Sequence, residues 1–258
     1  MSADVTPGVV VNADDLGLNA SVNEAIATCF GEGLISSATA MANMSCLAEA
    51  AEMAHAGGWV SEVGVHVNLT EGTALTAGMR ACARLCDAEG RFLLGPARPG
   101  FLSRADRRAV TQEVQAQVRA CRDVGLEPMH ADSHHHIHTV PQLTGAVARA
   151  LRAEAITGLR LARNLTAASR AGAKGAYKRL LNWRLRRRGF ATTQYFGDLE
   201  EFRAERERGS LATGRVEVMV HPDVDAAGQL VDAVDGLPLR QRLANALVGC
   251  DLVAYPGR

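Results

Sequence analysis

The chain has 258 residues, 47% of them apolar, and its 28 Lys and Arg are matched by 28 Asp and Glu. That length suits one large folded domain, and the charge balance argues against a generic polyanion binder, so no nucleic-acid partner is expected. No apolar run approaches the roughly 20 residues of a membrane span, and the opening MSADVTPGVVVNADD has no basic leader before its two aspartates. A cytoplasmic protein is expected, with its cysteines reduced and mostly buried.

In chain order, GVVVNADD (8–15) reads as a buried strand. SVNEAIATCFGEG (21–33) has Val22, Ala25, Ile26 and Cys29 at helical spacing and stops at glycine. LISSATAMAN (34–43) predicts a second strand and LAEAAEMAHAGG (47–58) a second helix. EVGVHVNLT (62–70) alternates, with Val63, Val65, Val67 and Leu69 on one side and Gly64, His66, Asn68 and Thr70 on the other. Residues 71–104, rich in glycine, proline and arginine, read as a long surface excursion of the kind that often carries function. Val110, Val114 and Val118 mark an amphipathic helix over 106–125. MHADSH then predicts a strand, 141–155 a helix opened by proline, GLRLAR (158–163) a strand and 170–188 a basic helix. The segments 191–196, 198–209, 215–222, 237–249 and 251–256 complete the alternation.

Seven or eight strands alternating with helices, without a linker or low-complexity break, predict a parallel sheet with helical crossovers. Over a single domain spanning 1–258 this is an α/β fold, a TIM-like (β/α) barrel, complete or irregular. A doubly wound open sheet is the alternative, but no glycine-rich dinucleotide fingerprint follows the first strand.

HADSHHHIH (130–138) concentrates five of the eight histidines in nine positions. In a parallel barrel the strand C-termini share one rim, where active sites are built. Asp14 and Asp15 end the first strand, His66 lies near the end of the third, His134 ends the fourth and His221 ends RVEVMVH. Parity adds to this: His66 alternates against valines, His221 shares a face with Glu217 and Met219, and His130, Asp132 and His134 share another. If the valine faces pack under the helices, the histidines point into the lumen. One carboxylate and two imidazoles suffice for a catalytic metal site. Taken singly, each residue has a plainer reading. A histidine at a strand end is usually a hydrogen-bonded structural group, paired aspartates commonly cap a helix, and His135 and His136 read as surface groups or groups behind the ligands. Recurrence at several strand ends favours a site.

The stretches VVVNADDLGLNASVNEAI, GLISSATAMANM, EVGVHVNLTEGTAL, HADSHHHIHTVPQ and VEVMVHPD, in that order, resemble the YdjC family of carbohydrate deacetylases of the ChbG and HpnK type. The resemblance implies an irregular (β/α) barrel, one divalent metal ion (magnesium or zinc) and removal of an N-acetyl group from an amino sugar, free or lipid-linked. By motif it implies Asp15, His66 and His134 as metal ligands, Asp14 as general base and His221 as the acid that protonates the departing amine. His138 is implied either as an alternative ligand or as a group behind the ligands. Asp132 would hold a ligand imidazole in one tautomer, and Asn68 is a candidate substrate or supporting group. The sequence departs from the family at Leu16, where phenylalanine is usual, and in its unusually basic 164–190 segment.

Two rival functions share these residues. A metal-dependent phosphoesterase would use a similar cluster and would suit the basic segment, and a non-catalytic metal-binding scaffold would need neither Asp14 nor His221. The basic 174–188 segment reads either as a solvated helix face or as a peripheral membrane contact through Leu180, Leu181, Trp183 and Leu185. A homodimer is left open.

Overall fold

The computed structural model describes residues 8–93, 100–210 and 214–257. The leader reading of residues 1–7, positions 94–99 of the excursion, residues 211–213 and Arg258 lie outside them. Seven strands form one parallel path: β1 (Gly8–Leu16), β2 (Ser37–Ala40), β3 (Val63–Val67), β4 (His130–Ser133), β5 (Gly158–Leu159), β6 (Tyr195–Asp198) and β7 (Val216–Val220), in the order β5-β4-β3-β2-β1-β7-β6. The two ends of the path, β5 and β6, are not paired as strands and are joined by an isolated bridge between Gly158 and Ala191 and by the Asn164 and Leu165 amides donating to Phe196. The result is an incompletely closed barrel, the irregular form of the expected fold. The crossovers carry α1 (Ala20–Gly31), α2 (Leu47–Gly57), α3 (Ala77–Arg80), α4 (Arg104–Asp123), α5 (Pro141–Ala153), α6 (Ala167–Arg170), α7 (Gly172–Arg187) and α8 (Leu199–Glu207).

Beyond β7 the chain departs from the alternation. An antiparallel pair, β8 (Pro222–Val224) and β9 (Leu230–Asp232), projects from the rim before α9 (Leu239–Leu247). The closing strand predicted over 251–256 shrinks to β10 (Asp251–Leu252), which pairs with the start of β1. GLRLAR likewise keeps only Gly158 and Leu159 as strand, and the basic segment is broken into α6 and α7 at Ala171.

The alternation of β3 and β7 sorts their residues as the sequence suggests. Val63, Val65, Val67, Val216, Val218 and Val220 are buried in one apolar cluster with Ile26, Val110, Val114, Val118, Leu143 and Leu151 of the helices. Each such side chain contributes about 1.5–3 kcal/mol relative to its exposed state. The opposite faces are buried yet polar: Asn12, Thr39, His66, His130, Asp132, Arg160 and Glu217 line the interior. Gly64 admits the His130 ring, because a Cβ on it would lie 2.6 Å from that ring.

The 71–104 excursion is pinned to α4. Glu113 accepts hydrogen bonds from the backbone of Leu75 and Thr76 at 2.9 and 2.8 Å, and Gln117 pairs with both backbone groups of Asn68. Buried polar groups on α4 thus set the loop that leaves β3 for the rim. Among the described residues no helix is long and apolar enough to cross a membrane. Cys29, Cys82, Cys86 and Cys121 are buried free thiols, while Cys46 and Cys250 are half-buried.

Candidate active site

Two consecutive residues of an ideal strand point to opposite faces, so Asp14 and Asp15 could not both reach one site from a regular β1. The register with β2 slips between Ala13 and Leu16, and Asp15 takes φ 70°. That left-handed backbone, which aspartate tolerates better than most residues, turns the second carboxylate to the rim beside the first.

Asp15 Oδ1 lies 3.0 Å from His66 Nε2 and 2.8 Å from His134 Nδ1. Behind His66, Asp132 Oδ1 is 2.6 Å from Nδ1, and the Thr39 hydroxyl is 3.1 Å from the same nitrogen. This arrangement holds the ring so that Nε2 faces Asp15. His134 opens a 3-10 segment, His134–Thr139, rather than ending β4. Its Nε2 approaches Glu71 Oε1 at 3.3 Å.

Asp14 is gripped from below. Arg160 Nη1 and Nη2 donate to its two oxygens at 2.6 and 2.7 Å, Asn12 donates at 2.9 Å, and Arg160 also meets Asp132 at 2.7 Å and Glu217 at 2.6 Å. The Tyr255 hydroxyl donates to the other Glu217 oxygen at 3.0 Å. On the far side, His221 Nε2 stands 4.0 Å from Asp14 Oδ2, and its Nδ1 stands 3.9 Å from Asp232 Oδ1. Asp232 also accepts from the His221 backbone N–H at 3.2 Å, which ties the β8–β9 arm to the rim.

The electrostatics follow from these contacts. Burial opposes ionisation of Asp14, but Arg160 outweighs it and holds the carboxyl well below its usual range. Burial also opposes the charge on Asp15, and hydrogen bonds from His134 and His66 draw its pKa well down. His66 moves the other way: burial disfavours its cation, yet Asp132 and Asp15 push it well above the ordinary histidine value. Glu217 is pushed up to about 7 by burial, despite Arg160.

Among the described residues, three carboxylate–imidazole groupings lie close enough to hold an ion: Asp15–His66–His134, Glu71–His134–His135 and Asp14–His66–Asp132. The third already has the Arg160 guanidinium against both carboxylates, so a second cation there is repelled. In the second, Glu71 and His135 are exposed to solvent. In the first, a carboxylate oxygen sits within 3.0 Å of a ring nitrogen on each of two histidines, and that mixed donor set fits a divalent ion.

The predicted residues therefore do not all arrive at one place. Asp14, Asp15, His66, His134 and His221 line a single cleft of about 550 Å³, together with Met219, Arg163 and the arm residues Asp232–Asp235. Asp132 stands directly behind His66. His138 is withdrawn from the cleft: it is buried, its Nδ1 is 2.5 Å from Ser133 Oγ, and its Nε2 has no partner among the described residues. Left-handed backbone at His135 and His136 (φ 51° and 54°) turns the chain between His134 and His138, so the two rings separate. The amide of Asn68 is consumed by Asn43, Thr70 and Glu71, and shapes the loop that brings Glu71 to His134. His136 is half-buried and packs edge-on to Phe196, while His135 is exposed.

Arg160, Glu71, Asp232 and Tyr255 were not picked out from the sequence. Arg160 had a visible signal, a cation between Leu159 and Leu161 in an apolar strand, where only a buried counter-charge makes it tolerable. Asp232 had none, because its arm has no strand periodicity.

Fold and site together define an open parallel α/β barrel whose strand ends present an aspartate–histidine cluster beside a second, arginine-held aspartate. Residues 8–246 match the family described as YdjC-like protein, and the chain belongs to that family. Among curated relatives it is 38% identical over 136 residues to a chitooligosaccharide deacetylase of Yersinia enterocolitica, covering 52% of each chain. It is 37% identical over 134 residues to a carbohydrate deacetylase of Geobacillus stearothermophilus, covering 52% of this chain and 51% of that one. These alignments span about half the length of the relatives. In fold, it is similar to a solved Enterococcus faecalis protein described as acting in cellobiose-phosphate cleavage, with TM-score 0.73, 21% identity and 97% and 98% of the two chains covered. A lactam utilization protein of Thermus thermophilus gives TM-score 0.56 at 18% identity, covering 96% of this chain and 100% of that one.

Proposed function

We infer that the protein hydrolyses the N-acetyl group of an amino sugar, with Asp15, His66 and His134 as ligands of one divalent ion. The observation that carries the reading is the convergence of those three donors in a cleft that Asp14 and His221, 4.0 Å apart, also line. Family membership and the names of the curated relatives support an acetylated sugar as the substrate class. The donor set suits zinc, iron or nickel, and its carboxylate also admits magnesium or manganese.

The chain's own residues divide the work. Asp14, kept ionised by the two-pronged grip of Arg160, accepts the proton of the attacking water. A carboxylate held so low is a weak base, and a bound divalent ion would supply the missing acidity by lowering the pKa of water, while polarising the acetyl carbonyl. His221, at the end of β7 and held by Asp232 of the β8–β9 arm, delivers a proton to the sugar nitrogen as the C–N bond breaks. Water adds to the acetyl carbon, and acetate and the free amine leave. Asp132 keeps the His66 ring in register through Nδ1, and Arg160 ties Asp132 to Asp14, so base and ligand share one buried counter-ion. Met219 and Leu199 offer the cleft its apolar surface.

The test is acetate release from N-acetylglucosamine oligomers by enzyme stripped with chelator and then reloaded with single metals. Metal-dependent acetate, lost in Asp14→Asn, supports the reading. Phosphate release from a phosphorylated sugar, with no acetate from any amino sugar, would replace it with the phosphoesterase.

A further inference from the structure

Between Glu154 and Asp198 the chain has ten arginines and lysines and no carboxylate side chain, although the whole protein is charge-balanced. Most of this charge is on α7, and its buried face is well defined. Leu181 and Leu185 are buried, and Asn182 locks to both backbone groups of Ala162 at 2.8 and 3.0 Å. This corrects the expectation that Leu181 and Leu185 belong to an outer contact surface: helical periodicity puts them on the inner side. The outer side keeps Leu180 at 44% and Trp183 at 53% exposure.

At about 100° per residue, Ala176, Leu180, Trp183 and Arg187 fall within roughly 60° of arc, directly away from the core. Arg179 and Arg186 flank this stripe on one side and Arg184 on the other, all exposed. The Arg187 guanidinium lies 5.3 Å from the Trp183 ring, holding the indole on the surface. A narrow apolar wedge with cations on both flanks is the pattern of a helix that lies in a membrane interface, where aromatic and aliphatic groups enter the headgroup layer and arginines meet anionic lipid. A solvated helix face needs the arginines but gains nothing from an outward tryptophan and leucine.

We propose that the outer face of α7 docks the protein on an anionic lipid surface, with Leu180 and Trp183 inserted and Arg179, Arg184, Arg186 and Arg187 on the headgroups. The N-terminal half of the same helix, through Lys174, Tyr177 and Lys178, borders a groove shared with His135, His136 and Arg163, three residues that also line the catalytic cleft. On the helical wheel Lys174, Tyr177 and Lys178 lie lateral to or opposite the docking stripe, so the groove is not part of the docking face.

The full-length protein is sedimented with vesicles of phosphatidylcholine alone and with about one-third phosphatidylglycerol added, at low and near-physiological salt. Tryptophan emission is a clean reporter, because the other tryptophan, Trp59, is 7% exposed and stacked on Phe30 at 4.4 Å. The expected result is binding that requires the anionic lipid, weakens with salt and shifts emission to the blue. Leu180→Ser with Trp183→Ser should weaken it about tenfold or more, and each of Arg184→Gln and Arg187→Gln about fivefold. Both sets lie on the surface, and circular dichroism verifies that they remain folded. The proposal is overturned by equal binding to phosphatidylcholine alone or by no binding at near-physiological salt. It is overturned equally by anionic binding that leaves Trp183 emission unmoved, or by a concentration-dependent dimer that Trp183→Ser dissolves.

Discussion

Arg160 holds Asp14 with both terminal guanidinium nitrogens, at 2.6 and 2.7 Å, and neither residue has appreciable contact with solvent. The same guanidinium meets Asp132 and Glu217, so one cation serves three buried carboxylates. Removing it leaves them facing each other without compensation. Arg160→Met should cost about 3–5 kcal/mol of stability, the range for breaking a buried charge network. Arg160→Lys keeps the charge but loses the fork. It should fold, retain metal and lose acetate release by roughly a hundredfold, with kcat rather than KM affected. Urea unfolding and steady-state kinetics separate the two effects, and an Arg160→Lys enzyme of unaltered kcat would show that the grip on Asp14 is unimportant.

Metal occupancy should be legible in stability as well as in activity. At a concentration about a hundred times its Kd, an ion stabilises the native state by about 2.7 kcal/mol. In a chain of this size that corresponds to a rise of roughly 5–10 °C in Tm. The rise should be absent in Asp15→Asn, which keeps a residue tolerant of left-handed backbone, and in His66→Gln. Because Asp132 and Asp15 raise the pKa of His66, protons compete with the ion, and the shift should shrink as pH falls.

His138 supplies a contrasting case. Burial pushes its pKa down to about 3, against an ordinary value near 6.5 in the unfolded chain. Between those values the unfolded state binds a proton that the native state does not, so stability declines as pH falls through this window. His138→Gln should remove up to one proton of that dependence, about 1.4 kcal/mol per pH unit, leaving metal content unchanged. Urea midpoints at pH 7 and pH 5 give the slope. Loss of metal in the variant would return His138 to the ligand set.

Glu217 has the opposite sense. Burial raises its pKa to about 7, so the native state binds the extra proton and stability declines as pH rises through the range from roughly 4.5 to 7. Glu217→Gln should be more favourable relative to wild type at pH 8 than at pH 5. Thermal melts at the two values test this, and a gap that narrows with rising pH would refute it.

Much of the site was legible because period-two alternation is a local property. VGVH and VEVMVH declare which face packs under helices and which faces the interior, and the rim follows from strands that are all parallel. The placement of Asp14, His66 and His221 on one rim needed only that, whereas Asp15 and His134 reach the cleft through irregular backbone. His138 shows the limit: spacing pairs it with His134, but two left-handed residues between them divert the chain. Arg160, Asp232 and Glu71 act through partners 11 to 146 positions away, and no local period encodes such distances.

The sequence by itself determined the α/β alternation, the face each strand buries and the acids and imidazoles carried to the strand ends, since these depend on neighbours a few residues apart. Only the tertiary structure decided how Asp14 and Asp15 both face the cleft, which requires the slip against β2 and the φ of 70° at Asp15. It also decided that the barrel stays open between β5 and β6, and that one arginine balances three carboxylates. It left Trp183 outside while burying Leu181 and Leu185. Those outcomes depend on which distant groups become neighbours when the chain closes, where an unmatched buried charge or an unfilled space carries its full free-energy cost.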